Sequence, residues 1–419
     1  MLQSAAMDLE TAHYLLSPGG RTLIESAEEL LRERYDAARA ILRLQKSAGG
    51  SALASAAWSI ADGRRRARVK FGDLAPLLYT VPEALEQATG KRASQYHAQR
   101  YIEAGFTAVT DLTGGIGGDA LAFAAAGLQV TMVERDPVRA LFAEENARAA
   151  RLSHLIEVKV DDADSYDVQT QAIWLDPGRR AGARRLIDPE SYTPSLSILR
   201  RFADCSAGVK LAPAIEHEVA GAYDASLEFL SESGECKEAL LWTGFLRRPE
   251  DISAVLLKPE AEHRMSANSA VAVEHLSSLQ STEPNIHGYL YEPDPAVIRA
   301  HLVEQLAQEL HAAPVDPQIA YLVGARRFAT DWASTYEVLD QMPYRPKNVQ
   351  KALRDRGVGR VIVKKRGVPI EPEDVQRELK LSGPEEMILV LTKIGLQRVV
   401  FLCRRVQETG LSAFKCIVP

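Results

Sequence analysis

The sequence predicts an α/β protein, with a mostly parallel sheet and crossover helices, a helical region before it and a small α+β unit after it. Three observations carry this. Residues 111–127, "DLTGGIGGDALAFAAAG", set a glycine loop between an apolar run and an alanine-rich helical stretch. From about residue 106, short β-rich runs alternate with helical segments, the rhythm of parallel strands joined by helices. Residues 21–70 keep apolar side chains at three- and four-residue steps, the mark of amphipathic helices.

In chain order, "TLIESAEELLRERYDAARAILRLQ" places Leu23, Ala27, Leu30, Leu31 and Tyr35 on one helical stripe. The basic tract Arg64, Arg65, Arg66, Arg68 and Lys70 reads as a solvated helix face. "ASQYHAQRYIEAG" predicts a helix stopped by Gly105. "TAVTDL", "QVTMVE", "IEVKV", "AIWLD" and "AGVKLA" predict the parallel strands. "EALLWTGF" and "ISAVLLK" predict an antiparallel hairpin that closes the sheet, and residues 259–288 an exposed polar excursion. "EPDPAVIRAHLVEQLAQEL" predicts a Pro-bounded helix, with strands near 320 and 335. From Pro343 the pattern is a basic helix "KNVQKALRDRG", a strand "RVIVKKRG", a helix "EPEDVQRELKL", and strands "MILVLTKI" and "QRVVFLCRR".

With 419 residues the chain is long enough for two to four domains. Its 46% hydrophobic and 25% charged residues fit a soluble globular protein. A net charge of −6 argues against coating nucleic acid by bulk electrostatics, though not against a local basic face. Cys205, Cys236, Cys403 and Cys416 form no C-x-x-C pair and have no His cluster beside them, so neither a zinc site nor a disulfide framework is expected. The first residues lack signal-peptide character and no apolar run reaches bilayer length, so the expectation is a cytoplasmic protein with no membrane partner and no metal.

What does the glycine loop hold? A Walker A loop needs Lys and Ser/Thr after its last glycine, and here Asp119 and Ala120 follow Gly118. The dinucleotide fingerprint fits better, through Gly115, Gly117 and Ala120, with Glu134 at ribose distance. Asp111 and Asp119, however, flank the loop with negative charge, which opposes a pyrophosphate on the helix N-terminus. A zwitterionic methionine moiety tolerates them, so the expected ligand is S-adenosylmethionine. Glu134 closes the second strand and can accept from both ribose hydroxyls. Asp162 follows the third strand, on the adenine side, and Asp176 ends the fourth. Singly each reads as a cap or turn residue. At successive strand ends, where open α/β sheets bind ligands, together they predict a cofactor site.

The order "DLTGGIGGD", "VERDP", "VDDA", "LDPGRR", "GVKLAP" resembles the class I S-adenosylmethionine-dependent methyltransferases, over roughly residues 100–257. Together with "YLYEPDPAVIRA" and "VIVKKRGVPI", the chain is similar to a bacterial group with a helical N-terminal region and a C-terminal THUMP-like domain. The resemblance implies a Rossmann-like seven-stranded sheet, mostly parallel with one antiparallel strand. It divides the chain into a helical region 1–100, a methyltransferase domain 101–288, a ferredoxin-like segment 289–342 and an RNA-binding THUMP-like domain 343–419. It implies that Asp111, Gly115 and Gly117 take the methionine end, Glu134 the ribose, Asp162 the adenine side, and Asp176 with Pro177 the place beside the transferred methyl. RNA, either tRNA or rRNA, is the acceptor it implies.

Methyl transfer is an in-line displacement in which alignment does much of the work, and Asp176 could accept a hydrogen bond or a proton from the acceptor. Asp176-Pro177-Gly178-Arg179 lacks the second Pro and the following aromatic ring, which usually stacks on a flipped base, and this argues against base N-methylation in the standard style. The nucleophilic Cys needed directly after the fifth strand is absent from "VKLAPAIE", so covalent pyrimidine methylation is rejected. Arg179, Arg180, Arg184 and Arg185 suit phosphate positioning, or a solvated helix start paired with Asp188 and Glu190. In the tail, Arg345, Lys347, Lys351, Arg354, Arg356, Arg360, Lys364, Lys365 and Arg366 outnumber Asp355 and predict a phosphate-contacting face. Tyr96, Trp174, Tyr192 and Trp242 could stack on a base, although core packing is their commoner fate. His97 and His217 lack spaced metal partners and read as structural. Three alternatives stand beside an RNA methyltransferase: a small-molecule or protein methyltransferase, a non-catalytic RNA-binding protein with a vestigial cofactor pocket, and a nicotinamide-dependent oxidoreductase.

Overall fold

Asp8, Ser17 and Asp36 open the first three helices, each side chain accepting a backbone N–H of the first turn, from Thr11, Gly20 and Arg39. These are α1 (Leu9–Leu16), α2 (Pro18–Arg32) and α3 (Ala37–Ala48), followed by α4 (Ser51–Phe71), α5 (Pro82–Gln87) and α6 (Lys91–Glu103). They belong to a computed structural model that describes residues 7–181, 184–266 and 288–406. The predicted stripe is buried: Leu23, Ala27 and Leu30 pack with Ala54, Ala57 and Ile60 of α4, and Leu31 and Tyr35 lie partly buried against them. The basic tract is not a solvated face throughout. Arg64 donates to the Leu78 carbonyl and Glu28, and Lys70 donates to the carbonyls of Leu85, Glu86 and Ala88 at the end of α5. These side chains thus tie α4 to the segment that follows it.

The chain divides into two compact units, one of Met1–Leu227 with Glu238–Asp251, the other of Glu228–Lys237 with Ile252–Pro419. In the first, β1 (Ala108–Asp111), α7 (Gly118–Ala125), β2 (Gln129–Glu134), α8 (Pro137–Ala149), β3 (Ile156–Val160) and β4 (Ala172–Leu175) alternate as expected. A short hairpin of β5 (Arg180–Ala181) and β6 (Arg184–Arg185) precedes β7 (Ser206–Leu211) and α9 (Glu218–Ala222). β8 (Ser226–Glu232) and β9 (Glu235–Trp242) follow, each contributing residues to both units. The sheet order is β8-β9-β7-β4-β1-β2-β3. β1 pairs in parallel with β2 and β4, β2 with β3 and β4 with β7, whereas β9 runs antiparallel to β7.

The expected hairpin of "EALLWTGF" with "ISAVLLK" is not formed. β9 pairs with β7, while β10 (Ile252–Leu257) pairs antiparallel with β11 (Glu262–Ser266), inside the stretch expected to be patternless. β10 and β11 follow β8 in the sheet, giving nine strands where seven were expected. The remainder of that excursion, residues 267–287, lies outside the described residues, as does Cys416.

The second unit continues with β12 (Gly288–Pro293), α10 (Pro295–Arg299), α11 (Val303–Glu309), β13 (Ala313–Asp316), β14 (Ile319–Gly324), β15 (Ala333–Pro343), α12 (Pro346–Arg354), β16 (Val358–Lys365), α13 (Pro372–Leu379), β17 (Glu385–Ile394) and β18 (Gln397–Arg405). Strands β12 to β18 form a seven-stranded sheet in the order β13-β14-β12-β15-β18-β17-β16. The predicted helix over 292–310 is two helices, broken where His301 takes a φ of 57°. Among the described residues no helix is long and apolar enough to cross a membrane, and no His/Cys/Asp/Glu cluster is arranged for a metal.

Candidate functional site

The site begins with the backbone of the glycine loop. Beyond β1, Gly114 donates to the Val133 carbonyl at 3.0 Å, and a Cβ there would lie 2.2 Å from Met132 Cγ. Only glycine lets the loop press against β2 at this point. Gly115 (φ 57°) and Gly117 (φ 89°) turn the chain into α7, and nothing stands within 4 Å of where a Gly115 Cβ would be. Asn146 of α8, fully buried, donates to the carbonyls of Tyr79 and Ile116 and accepts the Tyr79 N–H. One amide side chain therefore fastens the loop to the segment after α4.

Around the loop lies a cleft of about 280 Å³, lined by loop backbone and by Glu134, Asp162 and Asp176. Thus Asp111, Gly115, Asp119, Glu134, Asp162 and Asp176, predicted separately, line one cavity at the carboxyl ends of β1 to β4. Glu134 accepts the Gly115 N–H (2.8 Å) and the Asp136 N–H (2.9 Å). Burial raises its pKa, against the lowering by those two donors. Asp162 is exposed and accepts the Asp164 N–H. Arg201 pins that loop by donating to the carbonyls of Ala163, Asp164, Ser165 and Tyr166. Ala84, Gln87, Ala88 and Thr89 close another side, a contribution of the helical region that sequence patterning did not reveal.

Asp111 is 2% exposed, accepts the Thr113 N–H at 3.0 Å, and pairs with no cation among the described residues. Burial first, then the nearby Asp119, push its pKa well above the usual carboxylate range. Asp119 differs. Its carboxylate takes hydrogen bonds from Thr89 Oγ1 (2.9 Å) and His97 Nδ1 (3.0 Å). Burial alone would raise its pKa, but His97 and Lys210 bring it below the ordinary value.

Asp176 sits where β4 ends, its N–H donating to Thr113 Oγ1 at 2.6 Å. Its Oδ2 accepts from Lys210 Nζ at 2.5 Å. Lys210, on β7, is 5% exposed in its side chain and also donates to Thr89 Oγ1 (3.0 Å). Burial raises the Asp176 pKa, and Lys210 opposes that rise. His97 is wholly buried, stacked 4.4 Å from Trp174, with Nε2 2.6 Å from Glu238 Oε1. Burial alone would neutralise His97, yet Glu238 and Asp119 lift its pKa to about 9. Lys210 and Glu238 were missed, because nothing local marks a buried Lys or Glu in a strand. Only the residue type was visible, an ionisable side chain inside an otherwise apolar run.

The other predicted residues fall as follows. Pro177 is buried and Gly178 exchanges two backbone hydrogen bonds with Thr193. Arg179 is half-buried close to Asp176, and Arg180 and Arg184 lie on the β5–β6 hairpin that follows. Tyr96, Trp174, Tyr192 and Trp242 are all buried, so core packing is their role. In the second unit, Lys347 is exposed, but Lys351 pairs with Asp355, Lys364 with Glu292 (2.6 Å) and Lys365 with Glu371 (2.7 Å). Arg366 lies 5.3 Å from the centre of the Tyr321 ring. Carboxylates thus meet several of the tail's cations, Asp355 and Glu371 from nearby and Glu292 from 72 residues away.

An open α/β sheet with a glycine loop after its first strand and an acid after its second is the architecture of nucleotide-cofactor enzymes. Comparison with known proteins narrows this. A family model of SAM-dependent methyltransferases matches residues 81–177, and the THUMP domain-like family matches 333–405. A Mycobacterium tuberculosis protein named an uncharacterized S-adenosylmethionine-dependent methyltransferase is 30% identical, over 79% of this chain and 90% of its own length. The Alkalilimnicola ehrlichii ribosomal RNA small subunit methyltransferase J is 29% identical over 33% of this chain and 51% of its own. A solved candidate methyltransferase from Porphyromonas gingivalis shares the fold, with a TM-score of 0.69 at 20% identity, covering 92% of this chain and 98% of that one. The chain belongs to the S-adenosylmethionine-dependent methyltransferases and carries a C-terminal THUMP-like domain.

The residues present fit that cofactor. Asp111 is a buried carboxylate with no cation partner among the described residues, a ready partner for an ammonium. The space before Gly115 admits close approach to its backbone. Glu134, fixed by two N–H donors, still has lone pairs for hydroxyl groups.

Proposed function

We propose that this chain methylates RNA, with tRNA or rRNA as the acceptor class. The observation that carries the catalytic part is Asp176: it lines the cleft at the end of β4, with Oδ2 tied to Lys210 and no described residue donating to Oδ1. S-adenosylmethionine, when bound, supplies the methyl electrophile. The chain's own residues hold and orient. Asp111, Gly115, Gly117 and Asp119 serve the methionine end, Glu134 the ribose and Asp162 the adenine side. Asp176, braced by Pro177, receives the acceptor's hydrogen bond or proton.

The RNA reading is supported by the THUMP-like match and by the ribosomal RNA methyltransferase among the relatives. In it, residues 1–100 form a helical wall, 101–288 the catalytic domain, 289–342 a ferredoxin-like segment and 343–419 the RNA-binding unit of a cytoplasmic enzyme. Arg179, Arg180 and Arg184 would meet phosphates beside the cleft, and Lys347, Lys351, Lys364, Lys365 and Arg366 elsewhere on the RNA. One observation favours a second reading, a small-molecule or protein acceptor: Lys351, Lys364 and Lys365 already have carboxylate partners.

Transfer of tritium from methyl-labelled S-adenosylmethionine to cellular RNA is the test. Label should enter RNA with the wild-type protein. In Asp176→Ala the transfer rate should fall by roughly 10²- to 10⁴-fold while cofactor affinity is retained. Label found in protein or small molecules, and none in RNA, contradicts the reading.

A further inference from the structure

We infer that Lys210 and Asp176 act as one proton-accepting unit, Lys210 holding the carboxylate as an anion turned to the cleft, and that the acceptor atom therefore bears a hydrogen that it loses on methylation. The acceptor is an N–H or O–H group, not a ring nitrogen or thioether that offers only a bare lone pair. This rests on the proposed methylation of RNA and names the chemistry of its acceptor.

The geometry comes first. Lys210 Nζ spends its three protons on Asp176 Oδ2 (2.5 Å), Thr89 Oγ1 (3.0 Å) and, at a long 3.5 Å, the Gln87 carbonyl. A tripod of this kind aims the ammonium at one carboxylate oxygen and leaves Oδ1 with no donor among the described residues, on a side chain that lines the cleft. Thr89 passes its own hydrogen to Asp119 Oδ2, and Asp119 is held by His97, which is held by Glu238. The tripod is therefore anchored through a continuous buried chain rather than by Lys210 alone. A bare lone-pair acceptor would need no base. A buried carboxylate kept charged at the point of transfer is costly unless it has a task.

The charges facing Asp176 also need an ammonium there. Asp119 on α7 and Asp111 on β1 are like-charged neighbours, and burial adds to their effect. Against them stand Lys210 on β7, Arg179 on the loop after β4, and Lys70 on α4. Lys70, with its pKa lowered to about 8 by burial and then by Lys210, is engaged by three carbonyls. Lys210 alone donates to the Asp176 side chain among the described residues.

In the step, the acceptor's lone pair forms the new bond to the methyl carbon while the carbon–sulfur bond breaks with its electron pair left on sulfur. The acceptor's proton passes to Asp176 Oδ1 and then to water.

The test compares wild type with Lys210→Met and Lys210→Arg. With cofactor-free protein labelled at aspartate with ¹³C, NMR should show the Asp176 carboxyl titrating about 1–3 units higher in Lys210→Met and near the wild-type position in Lys210→Arg. The acid limb of the kcat profile should move in the same direction, with transfer near pH 7 lowered by about 10- to 100-fold. Unmoved Asp176 titration in Lys210→Met overturns the unit, whatever happens to stability. Digestion of labelled RNA should give nucleosides methylated at an atom that carried a hydrogen, such as 2′-O-methyl or exocyclic N-methyl nucleosides. A nucleoside methylated at a ring nitrogen that carried no hydrogen, such as 7-methylguanosine, overturns the acceptor assignment alone. Absence of label from RNA overturns the RNA reading and its acceptor, while the NMR titration still decides the Lys210–Asp176 unit.

Discussion

His97 is an imidazolium with no access to water, clamped between Asp119 at 3.0 Å and Glu238 at 2.6 Å. Its folded pKa of about 9 lies above the ordinary 6.5. A raised folded value means the stabilisation is complete below about pH 6.5 and disappears as pH rises through about 9. The expected contribution is about 3 kcal/mol. Urea unfolding between pH 6 and 10 should show this loss, and His97→Gln should remove the pH dependence while costing about 3–5 kcal/mol near neutrality. A wild-type profile flat across that range would contradict a charged His97. The sequence marked His97 only as a histidine without spaced metal partners. Its charge was hidden because its partners lie 22 and 141 residues away. Asp111, Glu134 and Asp176 were legible because each stands at the end of a recognisable strand, so position alone singled them out.

At the scale of elements, the loop between β1 and α7 is a local motif and was read in full from its glycines. Its anchorage was not. Asn146 joins α8, the loop and the residue 79 segment with three hydrogen bonds. Asn146→Ala should leave those backbone groups unpaired, costing about 2–4 kcal/mol, and should weaken cofactor binding because Ile116 loses its tether. Denaturation together with calorimetric titration checks this, and unchanged affinity would show that the loop holds itself. Strand β8 was overlooked because "SLEFLSE" carries two acids, and the buried Glu228 is paired with Arg264, far along the chain. A local signal did exist: Ser233 (φ 55°) and Gly234 (φ 78°) form the two-residue turn with positive φ that joins hairpin strands. Reading that dipeptide as a turn would have paired "SLEFLSE" with "ECKEALLW" and prevented the misplaced hairpin.

Across the whole molecule, charge is balanced within the fold more than composition indicates. The tail's cations looked unopposed because their acids, Glu292, Asp340, Glu371 and Glu386, sit on other segments. The proposed RNA affinity should accordingly depend weakly on salt, with a log–log slope shallower than about −3 in filter binding at 50–200 mM salt. A slope near −6 would show that phosphates displace the internal carboxylates. The family was legible from motifs because its glycine loop and acids stand at consecutive strand ends. The buried charges behind that berth were not, because folding alone brings them together.

Calorimetric titration of the full chain with S-adenosylhomocysteine, beside Glu134→Ala and Gly115→Val, tests the berth most directly. The wild-type protein should bind with one-to-one stoichiometry. Each variant should lose at least about tenfold in affinity, or ~1.4 kcal/mol, while still unfolding cooperatively, at a lower temperature in Gly115→Val because a β-branched residue is strained at φ 57°. Equal affinity in all three proteins would contradict the placement of the cofactor against this loop and this carboxylate.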